Sequence, residues 1–211
     1  MPRKPAHERF DTLKAIQEHA FALFGRFGYE GVSIGDIAKH AKLSKGALYW
    51  HYSGKESLFL ECLQRLHAIF NQHIFDPMDA QNDAVPRILQ LFEGLRRFLD
   101  DPRVQRGIAG FWLIPSRPET ARFIDAQTVF ETRARDIIEQ TLRLGAQQGQ
   151  FDLGSDVEDM SRAIIALVEA VVLPMRHQSP DEVQRILAVL ARTLFRAYAG
   201  NEDLIGLTRS L

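Results

Sequence analysis

The sequence predicts an all-α fold of about nine helices, and two observations carry that prediction. Apolar residues recur at spacings of three and four along nearly the whole chain, and no alternating β-branched run exceeds four residues. Capping residues, prolines and glycines then divide this helical pattern into elements.

The first helix, about 8–27, gathers Phe10, Leu13, Ile16, Ala20, Leu23, Phe24 and Phe27 on one face and ends at Gly28, where a left-handed C-cap fits. Ser33 with Asp36, and Ser53 with Glu56, have capping-box spacing, and Ser44 is a plain N-cap between them. Two very short helices, about 34–40 and 44–50, are therefore expected between longer ones. From Lys55 a helix runs through Leu58, Phe59, Cys62, Leu66, Ile69 and Phe70 to about Phe75, where Asp76-Pro77 stops it. At 1.5 Å per residue this is a rod of roughly 30 Å. The remainder divides into helices of about 84–100, 103–114, 118–148, 156–173 and 180–199, separated at Pro102, Pro115, Pro118, Gly149 and Gly154. Ser155 with Glu158, and Ser179-Pro180 with Glu182, are two further capping boxes. The organisation that follows is a small domain over 1–54, joined by a connecting helix over 55–75, whose start to about 66 goes with that domain, to a larger helical domain over 76–211.

With 45% hydrophobic and 25% charged residues in 211, the chain has the composition of a folded protein, which excludes disordered and fibrous classes. One cysteine, Cys62, allows no internal disulfide, and the charged first twenty residues do not fit a secretory signal, so a cytoplasmic location is expected. The apolar stretches 163–168 and 170–175 are split by Glu169 and together fall short of the ~18 residues a bilayer span needs, so no membrane partner is expected. Residues 1–60 hold nine Lys/Arg against six Asp/Glu, and the rest 17 against 21, which gives a mildly basic head on an acidic body. Catalysis would require a nucleophile, paired carboxylates or a metal cluster. His67 and His73 share a helix with Cys62 but not one ligand face, and read as exposed helix histidines; there is no glycine-rich phosphate loop. Neither enzyme activity, catalytic residue, metal nor cofactor is expected.

Two short helices behind an apolar first helix have the arrangement of a helix-turn-helix DNA reader. Ile34, Ile37 and Ala38 form the buried face of the first, Ala41-Lys42-Leu43 is the turn, and Leu48 of the second faces inward. The second begins with residues of little bulk apart from Lys45, which suits entry into a groove about 12 Å wide. Lys45 can then donate to guanine, Ala47 can touch a thymine methyl, and Tyr49, His51 and Lys55 can hold phosphates. The alternative is that Tyr49, Trp50, His51 and Tyr52 are an aromatic core cluster beside a solvated basic face. The basic leader Arg3-Lys4 is either a groove-reaching arm or a plain tail.

The segment from about His7 to Leu66, with Leu23-Phe24-x3-Gly28-Tyr29, Ser33-Ile34-x-Asp36-Ile37-Ala38, Leu43-Ser44-Lys45-Gly46-Ala47-Leu48-Tyr49-Trp50-His51-Tyr52 and Lys55-Glu56-x-Leu58-Phe59, resembles the DNA-binding domain of the TetR/AcrR family of bacterial regulators. The resemblance implies a dimeric repressor whose N-terminal helices bind double-stranded operator DNA and whose C-terminal domain binds a small-molecule inducer and dimerises. It also implies base or phosphate contacts from Ser33, Ser44, Lys45, Gly46, Ala47, Tyr49, His51 and Lys55, with Leu48 and Trp50 more structural. One departure is Lys42, at a turn position that is usually glycine in this family. If Lys42 has φ > 0 the strain is on the order of 1 kcal/mol, which a phosphate contact would offset.

The last two helices carry broad apolar stripes, Val157, Met160, Ile164, Leu167, Val168, Val171 and Val183, Ile186, Leu187, Leu190, Leu194, Phe195, Tyr198. A partner subunit covering both in a four-helix bundle is the expected reason, with Met160, Ile164, Val168, Val171, Val183, Leu187, Leu190, Leu194 and Tyr198 at the homodimer interface. Between head and dimer helices, Phe92, Phe98, Phe111, Trp112, Phe123, Phe130 and Ile137, with Glu169 or Arg133 as polar anchor, are the candidates to line a cavity for a hydrophobic or aromatic inducer. Two other readings stay open: a helical protein-interaction module that has lost specific DNA binding, and a regulator that needs no ligand.

Overall fold

The computed structural model describes residues 6–154, 156–175 and 179–200, with side chains described from Thr12 onward; Arg3, Lys4, Ser155 and the side chain of Val171 lie outside the described residues. Among these residues the fold is helical: α1 (Ala6–Phe27), α2 (Ile34–His40), α3 (Lys45–His51), α4 (Lys55–Phe70), α5 (Asp76–Asp79), α6 (Ala84–Asp100), α7 (Pro102–Gln105), α8 (Ala121–Gln147), α9 (Val157–Met175) and α10 (Pro180–Tyr198). The one extended pairing among them is the isolated bridge between Phe151 and Ala199. None of the helices is long and apolar enough to cross a membrane. The chain forms two compact units, one from residues up to His67 together with Arg106–Gln127, the other from Ala68–Gln105 together with residues from Thr128 onward.

In the first unit α1 buries Ile16, Ala20, Phe21 and Phe24 and ends at Gly28, whose φ of 73° is the left-handed C-cap its sequence position predicts. The helix expected over 103–114 does not form as one element. It is cut to α7, a turn at Gly107 with φ 113°, and a 3₁₀ turn at Ala109–Trp112. The cause is the packing of this segment against α1. A Cβ on Gly25 would lie 2.0 Å from the Gly107 carbonyl oxygen, and one on Gly110 would lie 2.1 Å from the Phe24 carbonyl oxygen and 2.5 Å from the Gly28 nitrogen. Two backbones meet along this seam with no side chain between them, an approach only glycine permits. The first residues of the helix expected from 118 are likewise a 3₁₀ turn, Pro118–Thr120, ahead of α8.

In the second unit the stop expected at Asp76-Pro77 is crossed. After α4 the helix widens into a π-turn over Asn71–Phe75 and continues as α5, with Pro77 in its first turn. Proline leaves the carbonyl of His73 without its usual helical donor, and the Arg97 guanidinium supplies one, Nη2 donating to that oxygen at 3.1 Å. Gly94 of α6 lets the turn sit close, since a Cβ there would lie 2.5 Å from the same oxygen. The His73 ring meets Asp101 at 3.0 Å, and Arg103 donates to the same carboxylate from its backbone and its guanidinium, holding Asp101 well below the usual carboxylate range. His67 is buried and its Nε2 lies 2.9 Å from Gln127 Oε1, so neither histidine is the exposed helix residue expected of it. The box at Ser179 and Glu182, with Pro180 at the first helical position, forms as its spacing predicts.

The glycine seam sets a stability prediction. Gly25→Ala should cost about 1–3 kcal/mol by forcing α1 away from the Gly107 carbonyl, read as a lower urea midpoint at unchanged slope.

Candidate nucleic-acid interface

The reading surface is built from caps inward. Ser33 accepts the Asp36 amide at 3.1 Å while Asp36 accepts from the Ser33 amide and hydroxyl, a closed capping box that starts α2 and pulls the Asp36 carboxyl below its ordinary range, chiefly through the Ser33 hydroxyl. Ser44 does the same for α3 by accepting from the Ala47 amide at 3.2 Å. The turn between them is closed by the Leu43 amide on the Ala38 carbonyl at 2.9 Å, and Lys42 stands within it at φ 56°. Lys42 is the one non-glycine residue with positive φ among the described residues, a strain of about 1 kcal/mol held in place by both helices. Gly35 sits under the Lys45 stem, where a Cβ would come within 2.9 Å of Lys45 Cε, so Lys45 lies back across the start of α2.

Leu48 is 1% exposed and anchors α3, as expected from its inward register. Ser33, Lys42, Ser44, Lys45, Gly46 and His51 are exposed, Ala47 and Lys55 partly so, and Tyr49 is 58% exposed, which places all the expected DNA-contact residues within reach of solvent around one short helix. A surface groove bounded by Glu30 to Asp36 joins Lys45, Tyr49 and Lys55. Trp50 corrects the expectation of a structural role: it is 84% exposed. The reason was available in the helical register, because Trp50 is about 200° round the helix from Leu48 and lies over Gly46 on the outer face. The same fact removes the aromatic-core alternative for Tyr49 and Trp50; of that group Tyr52 alone is buried, its hydroxyl donating to Glu61 at 2.9 Å. Burial first and the Glu61 carboxylate second push the Tyr52 phenol far above its ordinary value.

The acidic side chains beside this surface are occupied. Asp36 closes its box, Glu30 pairs with Arg117 at 3.0 Å, and Glu56 accepts from the Tyr29 hydroxyl at 2.9 Å. α4 begins at Lys55, one residue later than the box spacing of Ser53 and Glu56 places it, and the Glu56 carboxyl is lowered first by its own backbone N–H and then by Tyr29. What remains facing outward is basic and aromatic, with exposed Lys39, Lys42, Lys45 and His51 around Tyr49 and Trp50. Such a surface suits a phosphate backbone and base edges.

The family described as "Bacterial regulatory proteins, tetR family" matches residues 16–62, the span of α1 to α4 that builds this surface. Over that stretch the chain is similar to the tetR family, a match confined to residues 16–62 of 211. The curated relatives that match are transcriptional regulators. It is 26% identical over 196 residues to the uncharacterized HTH-type transcriptional regulator YezE of Bacillus subtilis (strain 168), covering 87% of this chain and 98% of that one. Over 79 residues it is 30% identical to IcaR of Staphylococcus aureus (strain Newman), a biofilm operon negative transcriptional regulator, covering 37% of this chain and 42% of that one. Its fold matches that of SmeT in a triclosan complex with a TM-score of 0.69 at 22% identity, over 89% of this chain and 91% of that one.

The candidate inducer residues are divided between the two units. Phe111 and Phe123 are fully buried in the first unit, where both pack against Phe59 with centroids 5.6 and 4.7 Å away, and Trp112 belongs to the same unit. In the second unit Phe98 stacks on Phe70 at 4.0 Å, Phe130 packs on Phe70 and Phe75, and Phe92 and Ile137 are buried. Arg133 is exposed and bonds Asn71 and Asp76, so it is no interior anchor; Glu169 is partly buried. Of the residues expected at a subunit face, Met160, Ile164, Val183 and Leu187 are buried within the chain itself, whereas Val168, Leu190, Leu194 and Tyr198 keep partial exposure.

The opposed environments of Leu48 and Trp50 predict opposed stabilities. Leu48→Ala should lose about 2–5 kcal/mol, while Trp50→Ala should stay within about 0.5 kcal/mol of the parent, both read from urea unfolding of the free protein.

Proposed function

We propose that the chain is a dimeric repressor that reads a pseudo-palindromic operator through α3 and is released by a small apolar or aromatic inducer. The observation that carries the reading is the outer face of α3. A seven-residue helix places an exposed glycine, lysine, tyrosine, tryptophan and histidine on a capped, rigidly turned support. Glycine within so short a helix lowers its propensity by nearly 1 kcal/mol, and exposed aromatics serve no internal packing, so both features point outward to a partner. Small Gly46 and Ala47 let the backbone approach the groove, Tyr49, Trp50 and His51 meet sugar and phosphate, and Lys42 and Lys55 add charge. The DNA-binding part is the stretch 1–54 with the start of α4, α4 and the π-turn over 55–75 lead out of it, and of 76–211 the residues outside Arg106–Gln127, which belong to the first unit, hold ligand and partner.

One head makes too few contacts for selective binding, and two heads in successive major grooves, about 34–36 Å apart, require a two-fold dimer. The dimer face lies on α9 and α10. Ala163, Ala166 and Ala170 are exposed on α9, Val189 is 54% exposed on α10, and a concave apolar strip runs past Arg185, Ile186, Val189 and Leu190. Met160, Ile164, Val183 and Leu187 are excluded from it by their burial and support it from beneath. The ligand site belongs to the second unit, where two small cavities of about 30 and 10 Å3 with apolar walls share Ile164 and Leu194 between α6, α9 and α10. The triclosan complex of SmeT and the negative regulation assigned to IcaR support the inducer and repressor readings. A hundredfold loss of operator affinity needs about 2.7 kcal/mol of differential ligand binding, within reach of one buried apolar molecule.

Selection from a random-sequence duplex pool tests the reading. The expected product is an inverted repeat whose binding weakens by about 10³–10⁵ between 50 and 200 mM salt; no enrichment, or binding indifferent to salt, would favour the protein-interaction module instead.

A further inference from the structure

Lys55 opens α4 beside α3, and its ammonium is already held before any DNA arrives. Nζ donates to the Tyr29 carbonyl at 3.0 Å and stands 4.0 Å from the centroid of the Tyr29 ring. Both contacts come from one residue, in the turn between α1 and α2. Tyr29 is itself fixed. It is 6% exposed, its ring meets Phe59 and Phe123 edge-on with centroids 5.1 Å away, and its hydroxyl donates to Glu56 at 2.9 Å. Burial and then the Glu56 bond raise its phenol far above the ordinary value, so it stays neutral at any physiological pH.

An ammonium has three donors, and the Tyr29 carbonyl uses one. Lys55 remains partly exposed, in the groove that also contains Tyr49 and Lys45. The lysine stem is long and flexible, and ordering it on phosphate capture costs rotamer entropy. A cation held in place beforehand avoids that cost when the complex forms.

We propose that Tyr29 is a positioning residue for operator binding, which holds the Lys55 ammonium on the DNA-facing side of the α4 N-terminus for a backbone phosphate. The inference rests on the reading that α3 and the start of α4 meet DNA. Tyr29 acts through Lys55 and makes no DNA contact of its own.

A double-mutant cycle separates this role from a merely structural one. Wild type, Tyr29→Leu, Lys55→Ala and the double variant are titrated with the inverted-repeat duplex recovered by selection, across a salt series. Lys55→Ala should reduce the log–log salt slope by about one unit per head. Tyr29→Leu should weaken binding several-fold in the wild-type background and leave it unchanged in the Lys55→Ala background. Both variants keep the backbone carbonyl, and Tyr29→Phe, which also keeps the ring, should recover most of the binding that Tyr29→Leu loses. If Tyr29→Leu does not fold, proton NMR of the parent decides: the Lys55 ε-methylene protons should lie upfield of the other lysines through the ring current, and remain so in Tyr29→Phe. Equal losses from Tyr29→Leu in both backgrounds, no effect of Lys55→Ala, or unshifted ε-protons overturn the proposal. Failure to recover any duplex instead overturns the DNA reading, and this proposal with it.

Discussion

Phe59 is the side chain on which the first unit depends. It is fully buried in α4, and its ring meets Phe24 of α1 at 5.0 Å, Tyr29 of the following turn at 5.1 Å, Phe111 at 5.6 Å and Phe123 at 4.7 Å. Aromatic pairs of this kind contribute about 0.5–1.5 kcal/mol each beyond the area they bury. They also tie together four pieces of chain that are distant in sequence. Helices of seven residues such as α2 and α3 are far below the length at which a helix is stable alone. They persist because Ile37, Ala38 and Leu48 join the interior that this cluster organises.

That stability is spent at the reading surface. Gly46 weakens α3, Lys42 holds a left-handed conformation, and Trp50 leaves a large ring in water. Each departs from what a helix or turn would choose for stability alone, and the three fall within nine residues of one another. Departures from local preference concentrate where a protein meets a partner, because there the partner supplies the missing interactions. The caps at Ser33 and Ser44 offset part of the loss without covering the surface, since each stays within its own first turn.

The second unit solves a different problem. Its buried residues come from α4 to α10, and its apolar interior includes two small cavities of about 30 and 10 Å3. Their walls combine leucine, isoleucine, valine and methionine with the rings of Phe92, Phe151, Phe195 and Tyr198. The π-turn at Asn71–Phe75 adds an irregular element within this unit, held by Arg97 on the His73 carbonyl and by Asp101 on the His73 ring.

The sequence by itself determined the helical class, most helix boundaries and the two serine caps of the short helices. All of these rest on interactions within a few residues: periodicity, capping and the punctuation of Gly28, Ser33, Ser44 and Ser179. The structural role that the resemblance implies for Trp50 does not fit its place in α3, two residues on from the inward Leu48 and 84% exposed. Only the tertiary structure decided that Phe111 and Phe123 serve the first unit, that 103–114 breaks at Gly107, and that Tyr29 holds Lys55. In each case the partner lies tens of residues away: Gly25 for Gly107, Phe59 for Phe111, Tyr29 for Lys55. Such pairings are set by where the backbone brings distant segments together, and no local pattern in the chain encodes that distance.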